Sequence, residues 1–432
     1  MHSINLRKLA KPAVLFISAL FIISILSAFL TTAVQATTST TALHISGNQV
    51  LTANGTPLDL KGMDYTYFLN SENGSWMMPD GSIKWATWST RGVSDFLNFM
   101  QASNATVVRC YLTVQYWLDN SNNYQSNLEY FITQAANRGI YTDLVFYRNN
   151  ATDSEPDGFL PWNDAGNNVL NSSADFVNLW GNVSTTLKSY PTVMFELWNE
   201  PTGNEATWFG VAQQCINDIR STGATQPIVI QWDDQINYNF YAGYSGSVGD
   251  VSGMSWVFNY SLNDPLGNLI YSTHIYSSTG YGIYNSSTNS TVTDYPDILY
   301  ALSQTDVLAV AAVHPVFIGE IGDDLWGNTT DQDIFFNNTL TLLDDNNIGY
   351  AGFAAPPWTS ATEWGLVESG VSNYTLNDAG VILVNHLGGM TYTDWLSLQQ
   401  STSPWPIIAL AAVSIIVVIA FGAYTYTKRS KK

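Results

Sequence analysis

Cysteine and histidine are scarce in this 432-residue chain, which contains two cysteines and five histidines. A structural zinc site built from clustered Cys and His ligands is therefore not expected, and the sequence predicts neither a metal nor a cofactor. Cys110 and Cys215 allow one disulfide in an oxidising compartment, but two buried free thiols fit the sequence equally well.

Basic residues are also few, with 15 Lys and Arg against 35 Asp and Glu. Seven of the basic residues lie in the two terminal segments, whereas all the acidic ones lie between them. The central part of the chain thus carries 8 basic and 35 acidic residues, a formal charge of −27 (8 minus 35). Nucleic acid and anionic lipid surfaces are poor partners for such a surface, whereas a neutral polymer is not repelled.

The N-terminal segment has the pattern of an export signal. Arg7, Lys8 and Lys11 precede an apolar run over residues 13–30, and small residues follow up to Ala36. This order predicts a signal peptide over residues 1–36. Because the apolar run is long, an uncleaved membrane anchor is the alternative, and in both cases the following residues are exported.

The C-terminal segment has the pattern of a membrane anchor. Ile407–Ala423 is almost purely apolar, about long enough for a hydrocarbon core of roughly 30 Å, with aromatic residues at both edges. We predict a short stalk at 396–404, a transmembrane helix at 405–427 and a basic cytoplasmic tail at 428–432. The expected protein is a monomer in the cell membrane, with residues 37–395 outside the cell.

Asn-x-Ser/Thr sequons are frequent in the exported part, and we expect several to be glycosylated, although an Asn-, Ser- and Thr-rich composition also produces matches by chance. The twelve sequons begin at Asn54, Asn73, Asn104, Asn150, Asn171, Asn182, Asn259, Asn285, Asn289, Asn328, Asn337 and Asn373.

Short β-branched or apolar runs alternate with helical patterns along residues 37–395, which indicates a parallel sheet with crossover helices. Eight such runs in one domain predict a closed (β/α)8 barrel, and an open doubly wound sheet is the alternative. The predicted strands are Leu58–Tyr65, Thr106–Leu112, Ile140–Tyr147, Thr192–Trp198, Pro227–Trp232, Leu269–Ile275, Pro315–Ile321 and Gly349–Ala355. Helical spacing of apolar residues marks Arg91–Ala102, Asn204–Thr222 and Asp331–Asn346.

Two glutamates follow or close predicted strands, Glu200 after the fourth and Glu320 in the seventh. Chemistry in a (β/α)8 barrel lies at the carboxyl ends of the strands, so these two can face each other across the barrel mouth. Glycoside cleavage needs such a pair, one acid to protonate the leaving oxygen and one carboxylate to attack or to activate water. The alternative, two glutamates in structural salt bridges, is weakened by the scarcity of Lys and Arg.

The run 195–201 (Phe-Glu-Leu-Trp-Asn-Glu-Pro) strongly resembles the acid/base signature of the cellulase-type glycoside hydrolase family 5, a family of retaining (β/α)8-barrel enzymes. The resemblance covers nearly all of residues 37–395. Further positions match the family pattern in the same order, namely 46–48 (Ser-Gly-Asn), 60–62 (Leu-Lys-Gly), Arg109, His274 with Tyr276, Glu320 and Trp358.

The resemblance implies that Glu200 is the acid/base and Glu320 the nucleophile. Arg109 and Tyr276 can keep Glu320 ionised, because charge and hydrogen bonds lower a carboxyl pKa, while apolar neighbours can raise that of Glu200. Asn199 can donate a hydrogen bond to the sugar 2-hydroxyl. The remaining substrate-binding residues implied by the match are His274, Trp358 as a stacking platform, and Tyr147.

One departure from the family pattern concerns the third strand, which the family usually ends with a histidine. This chain has 146–149 (Phe-Tyr-Arg-Asn) there, so Tyr147 or Arg148 is expected in that part of the subsite. Glu196 is interpreted as a structural group inside the barrel. Solvated loop positions are favoured over substrate contact for Asp233, Asp234, Asp323 and Asp324, and cleft-lining platforms are expected at Trp76, Trp85, Trp88, Trp117, Trp162, Trp326 and Trp364.

The sequence thus predicts a retaining endo-β-glycanase that cuts a β-linked polysaccharide, with β-1,4-glucan as the expected substrate. A β-mannanase or mixed-linkage glucanase, an exo-acting glycosidase and an inactive carbohydrate-binding surface protein are the alternatives. Glycan identity depends on loops such as Ile236–Asn268 and Gly280–Thr293. The high negative charge, combined with a neutral hydrogen-bonding surface, further predicts an acidic working pH.

Overall fold

The structure is a computed structural model, and it describes residues 41–69, 74–77, 83–86, 89–150, 160–163, 169–232, 253–276, 284–285, 290–291, 293–322, 329–355, 365–367 and 374–401. The predicted signal peptide, the apolar segment Ile407–Ala423 and the basic tail lie outside these residues. Within the described part, no helix is both long and apolar enough to cross a membrane.

Eight parallel strands close into a barrel in the order in which they occur along the chain. This order confirms the predicted (β/α)8 architecture, and the open doubly wound sheet is wrong. The barrel strands are β3 (Lys61–Tyr65), β6 (Val107–Thr113), β7 (Tyr141–Arg148), β8 (Val193–Glu196), β9 (Ile228–Gln231), β10 (Leu269–Tyr276), β13 (Val316–Gly322) and β14 (Gly349–Gly352).

Helices lie between most of these strands, and all three predicted ones are present with ends shifted by one or two residues. The described helices are α1 (Thr90–Ala102), α2 (Val114–Asp119), α3 (Tyr124–Ala136), α4 (Ser173–Leu187), α5 (Glu205–Ser221), α6 (Trp256–Asn259), α7 (Tyr295–Gln304), α8 (Val307–Ala311), α9 (Thr329–Asp345), α10 (Asp378–Leu387) and α11 (Tyr392–Ser401). The last of these includes the start of the segment predicted as a stalk.

Three short antiparallel hairpins lie outside the barrel, formed by β1 (Leu43–Ser46) with β2 (Gln49–Thr52), β4 (Gly74–Met77) with β5 (Ile83–Ala86), and β11 (Tyr284–Asn285) with β12 (Ser290–Thr291). The first turns through Gly47, whose φ of +63° is a left-handed conformation that glycine adopts without steric cost. Its apolar side chains Leu43, Ile45 and Val50 pack against the inner residues at the amino ends of the barrel strands. The hairpin therefore covers the barrel end opposite the predicted active site.

The barrel interior is built in layers because alternate residues of each strand point inward. The lowest layer is apolar and receives one residue from each strand region, namely Leu60, Val107, Tyr141, Met194, Val229, Ile270, Phe317 and Ala351. Two residues further along, β6 presents Arg109, β7 Asp143 and β8 Glu196, all fully buried. The barrel thus changes from an apolar floor to an ionisable layer just beneath the mouth.

Both cysteines are free and fully buried, Cys110 on β6 and Cys215 on α5. The free-thiol alternative is therefore correct. Burial, together with a nearby aspartate in each case, raises the pKa of both thiols well above its usual value, so neither is activated as a nucleophile.

Candidate active site

The two predicted catalytic carboxyls meet at the barrel mouth. Glu320 lies within β13, and Glu200 lies four residues beyond the end of β8. One carboxylate oxygen of each, together with a ring nitrogen of His274, lies within 4.8 Å of the others. Glu320 is 5% exposed, whereas Glu200 is only partly buried. The pair can therefore reach opposite sides of a bond placed in the mouth.

Arg109 is the centre of the ionisable layer. Its Nε and Nη2 donate to the two oxygens of Glu196 at 2.6 and 2.9 Å, a bidentate pair with both side chains fully buried. Its Nη1 donates to Glu320 Oε1 at 3.0 Å and to Asp64 Oδ1 at 3.2 Å. The Glu196 pair fixes the plane of the guanidinium, and this plane aims Nη1 at Glu320.

Glu320 receives hydrogen bonds on both oxygens. Tyr111 donates to Oε1 at 2.5 Å, and Tyr276 donates to Oε2. Burial alone would raise the pKa of Glu320, but the His274 ring when protonated, the Arg109 charge and the two tyrosine hydroxyls oppose it and hold that pKa below its usual value. Arg109 and the tyrosines act at every pH at which the His274 ring is neutral. Glu320 is therefore an ionised carboxylate, as a nucleophile requires.

Glu200 has an unusual backbone. Its φ is +45°, in the left-handed region that non-glycine residues seldom adopt. The backbone N–H of Glu200 donates to Gln231 Oε1 at 2.9 Å. On the side chain, Oε1 lies 2.5 Å from His274 Nδ1. Glu200 is therefore held from β9 through its backbone and from β10 through its carboxyl.

His274 is neutral at ordinary pH. Burial lowers its pKa, Glu320 opposes this shift and Arg109 adds to it, and together they bring the pKa to about 3. A protonated imidazole 2.5 Å from Glu200 would favour the ionised form of that glutamate. The neutral ring therefore places no positive charge beside Glu200, while Arg109 keeps Glu320 charged.

Asn199 precedes Glu200 and its amide is oriented by the same guanidinium. Its Oδ1 accepts from Arg109 Nη2 at 2.8 Å, so Nδ2 is the donor end of the side chain. The backbone N–H of Asn199 donates to Phe146 O on β7 at 2.9 Å. Arg109 therefore aligns Asn199 and Glu320 together.

Gly319, immediately before Glu320, is required by close packing. A Cβ at this position would meet Ser272 Oγ at 2.9 Å, His274 Nε2 at 3.0 Å and Arg109 Nε at 3.2 Å. Each contact is tighter than ordinary van der Waals packing allows. The glycine lets the β13 backbone approach the groups that orient the two glutamates.

Further carboxyls lie beneath the site. Burial raises the pKa of Asp64 well above its usual value, against the opposing effect of Arg109. Burial and the adjacent Glu196 do the same for Asp143. One guanidinium thus lies among four buried carboxyls, and burial raises the pKa of Asp64 and of Asp143.

A family model described as cellulase (glycosyl hydrolase family 5) matches residues 51–357. This match covers more than half of the chain. The chain belongs to glycosyl hydrolase family 5. The resemblance found in the sequence is therefore confirmed.

Solved structures share the family 5 fold at low identity. An endocellulase from the archaeon Pyrococcus horikoshii is 19% identical, with a TM-score of 0.59 over 81% of this chain and 99% of that one. The catalytic domain of an endoglucanase from Thermobifida fusca is 17% identical, with a TM-score of 0.53 over 80% and 97%. A mannanase from Streptomyces sp. is 19% identical, with a TM-score of 0.52 over 82% and 93%. These similarities show the fold.

The family 5 site brings together five of the six predicted supporting residues. Four of them contact a catalytic glutamate or each other, namely Arg109, Asn199, His274 and Tyr276. The ring of Tyr147 lies edge-on to Tyr111, with centroids 5.5 Å apart, so it borders the Glu320 side of the mouth.

Arg148, the alternative to Tyr147, donates instead to Leu69 O at 2.5 Å and to Thr113 Oγ1 at 3.3 Å. Trp358 and the four loop aspartates lie outside the described residues. Glu196, paired with Arg109, has the structural position that the sequence predicted for it.

The prediction that Trp117 is a cleft platform is wrong. It lies on α2, is fully buried in the core, and donates from Nε1 to Asn182 Oδ1 at 2.8 Å. Trp162 packs against the core beside Trp208, with ring centroids 6.5 Å apart. Side-chain positions for Trp76, Trp85, Trp88, Trp326 and Trp364 lie outside the described part of the chain.

Sequence reasoning missed Tyr111, Gln231, Asp64 and Asp143. Tyr111 could have been found because it lies two residues after Arg109 and therefore on the same inward face of β6. Gln231 ends β9 and carried no motif. Within the described residues, the one cluster able to hold a metal ion is Glu200, His274 and Glu320, whose atoms are engaged in the hydrogen bonds of the site.

Proposed function

We propose that this family 5 protein is a retaining endo-β-glycanase that hydrolyses β-1,4-glucan, with Glu320 as nucleophile and Glu200 as acid/base. The observation that carries the proposal is the separation of the two carboxylates, within 4.8 Å for their nearest oxygens. Retaining glycosidases place their carboxyls about 5–5.5 Å apart, whereas inverting enzymes need about 6.5–9.5 Å to admit water. The observed spacing supports the retaining arrangement over the inverting one.

The first chemical step uses Glu320 as a carboxylate and Glu200 as a protonated carboxyl group. Ionised Glu320 attacks the anomeric carbon and forms a glycosyl ester, while the carboxyl proton of Glu200 moves to the glycosidic oxygen as the C–O bond breaks. Arg109, Tyr111 and Tyr276 supply the donors that keep Glu320 charged until it attacks.

The second step reverses the role of Glu200. As a carboxylate it takes a proton from water, and the water oxygen attacks the anomeric carbon and releases Glu320. The anomeric configuration of the product is therefore that of the substrate. Asn199, oriented by Arg109, presents Nδ2 as a donor for the sugar 2-hydroxyl, a contact that strengthens in the oxocarbenium-like transition state.

The choice of β-1,4-glucan is supported by the cellulase family model and by the endocellulase and endoglucanase among similar structures. A β-mannanase is the second candidate, because a mannanase has the same fold at a comparable TM-score. An inactive binding protein is disfavoured, since binding alone does not need an ionised glutamate aligned with a second one.

A reducing-sugar assay of the full-length protein tests this proposal, with cellulose, mannan, xylan and mixed-linkage glucan as substrates. We expect the highest rate on β-1,4-glucan and activity lowered by several orders of magnitude in Glu200→Gln and Glu320→Gln. Highest activity on mannan would favour the second candidate, and no release of sugar from any of the four polymers would contradict the enzymatic proposal.

A further inference from the structure

The backbone of Glu200 is set by a chain of hydrogen bonds that begins where β8 ends. Leu197 N donates to Val229 O at 3.2 Å, and Asn199 N donates to Phe146 O at 2.9 Å, so the chain is tied to both neighbouring strands. The next hydrogen bond is different, because Glu200 N donates to a side-chain oxygen, Gln231 Oε1, at 2.9 Å.

The Gln231 bond falls at the most strained residue of the segment. A non-glycine residue in the left-handed region is strained and persists only where its surroundings fix it. Glu200 has a φ of +45°. Rotation about φ of Glu200 would move its carboxyl relative to Glu320, because the side chain is attached to the same Cα.

The main chain of Gln231 is buried and fixed within the barrel. It is 1% exposed and is the last residue of β9, which lies between β8 and β10 in the barrel. Its main-chain oxygen accepts from Trp208 Nε1 at 2.9 Å, and Trp208 lies on α5, the helix that follows Glu200. A neutral carboxamide also accepts a hydrogen bond without placing another negative charge beside the acid.

We propose that Gln231 is a positioning residue that fixes the backbone, and thereby the carboxyl, of Glu200. Its carbonyl oxygen acts on the acid/base through the Glu200 N–H and takes no part in bond making or breaking. Because this role presupposes the proposed function, its test must separate loss of acid catalysis from loss of all activity.

Substrates that differ in leaving group make this separation. Cleavage of a cello-oligosaccharide needs a proton on the departing oxygen, whereas 2,4-dinitrophenolate leaves without one. General acid catalysis contributes about 10²–10⁴-fold. For full-length Gln231→Leu, we expect kcat/KM on cellohexaose to fall by about 10–100-fold and kcat/KM on 2,4-dinitrophenyl β-cellobioside to change less than about 3-fold.

Gln226→Leu is a matched control, since Gln226 is also buried and bonded to backbone groups, the carbonyls of Leu187 and Tyr190, each at 3.1 Å. It should lower the unfolding midpoint without selecting between the substrates. Gln231→Glu keeps the acceptor and adds a charge, so it should preserve activity on cellohexaose better than Gln231→Leu and move the basic limb of the pH–rate profile upward.

Equal losses on both substrates in Gln231→Leu, or unchanged activity on both, would overturn the positioning role. Where Gln231→Leu does not fold, Gln231→Glu decides alone, and an unmoved basic limb overturns the proposal. Failure of the wild-type protein to cleave either substrate would count against the proposed function itself, a result distinct from these.

Discussion

Arg109 and Glu196 form a bidentate ion pair in the middle of the barrel, with Nε–Oε2 and Nη2–Oε1 distances of 2.6 and 2.9 Å. Glu196 occupies the two donors that set the guanidinium plane, while Nη1 and Nη2 also reach Glu320 and Asn199. One arginine therefore joins a structural pair to the groups that act on substrate.

Arg109→Lys should lower both stability and activity, because an ammonium cannot reproduce the planar fork. Disruption of a buried pair costs about 3–5 kcal/mol, and we expect kcat/KM to fall by about 100-fold or more since Glu320 and Asn199 lose alignment. Chemical unfolding and the cellulose assay measure the two effects.

The matched control is Arg220→Lys. Arg220 pairs bidentately with Asp264 at 2.8 Å on both oxygens, on the helical side of the barrel. This variant should lose stability and keep its kcat/KM. If Arg109→Lys behaves like Arg220→Lys, Arg109 has a structural role alone.

Gly319→Ala should nearly abolish activity, because the added methyl group would meet Ser272, His274 and Arg109 at 2.9–3.2 Å. The control is Gly210→Ala on α5, where a Cβ would have nothing within 4 Å. Alanine in a helix is more stable than glycine by roughly 0.5–1 kcal/mol, so Gly210→Ala should be slightly stabilised and fully active. Full activity of Gly319→Ala would show that the β13 backbone is free to shift.

The stability of the barrel should increase as the pH falls from neutrality toward 4. Asp64 and Asp143 have raised pKa values in the folded state, so between their unfolded value of about 3.9 and the folded one the native protein binds more protons. The free energy of unfolding therefore falls as pH rises through that window. Urea unfolding at a series of pH values measures this slope.

Asp143→Asn should flatten the slope, because it removes a carboxyl that faces Glu196 and Arg109 in the buried layer. Asp264→Asn is the opposite control, since hydrogen bonds from Arg220 and the backbone outweigh burial and lower the pKa of Asp264. That pair stabilises the protein above the unfolded pKa and is lost in acid. An unchanged slope in Asp143→Asn would contradict the raised pKa of that carboxyl. The acidic working pH has a separate test, since a pH–rate maximum at or above 7, with activity lost below 5, would contradict it.

Membrane topology gives a prediction that depends on the terminal segments. Protease added to intact cells should release an active fragment by cleavage near residues 399–404, because the basic tail 428–432 is expected on the cytoplasmic side. Blocking export by deletion of residues 1–36 is the control and should leave activity inside the cell. Activity that appears after lysis alone, in the unmodified protein, would contradict the topology.

The barrel could be predicted because most of its strands lie in short runs rich in apolar or β-branched residues, and all eight predicted runs contain strands in the structure. The ends of the strands were predicted less accurately than the strands themselves, for a physical reason. The run predicted to extend to Trp198 ends at Glu196, since the chain must leave the ladder there to place Glu200 over the mouth.

Motifs at strand ends made it possible to predict the two catalytic glutamates. The same motifs contain the supporting residues Arg109, Asn199, His274 and Tyr276. Gln231 contacts Glu200 through the closure of the barrel, and no local pattern in the sequence reports that contact. Tyr111 belongs to no motif, and its spacing from Arg109 is the one local signal that places it on the inward face of β6. Trp117 was misplaced because a tryptophan between two polar segments suggests a loop, whereas its indole N–H finds a partner in Asn182 on α4.

The most direct test of the central claim is identification of the residue that bonds to the sugar. A 2-deoxy-2-fluoro-β-cellobiosyl substrate with a 2,4-dinitrophenol leaving group should form a stable ester when the full-length enzyme follows the retaining mechanism. Mass spectrometry of proteolytic peptides should then place one fluorosugar on Glu320, with no labelling in Glu320→Gln. A label on another residue, or substrate turnover that yields the inverted anomer without any covalent adduct, would contradict the assignment.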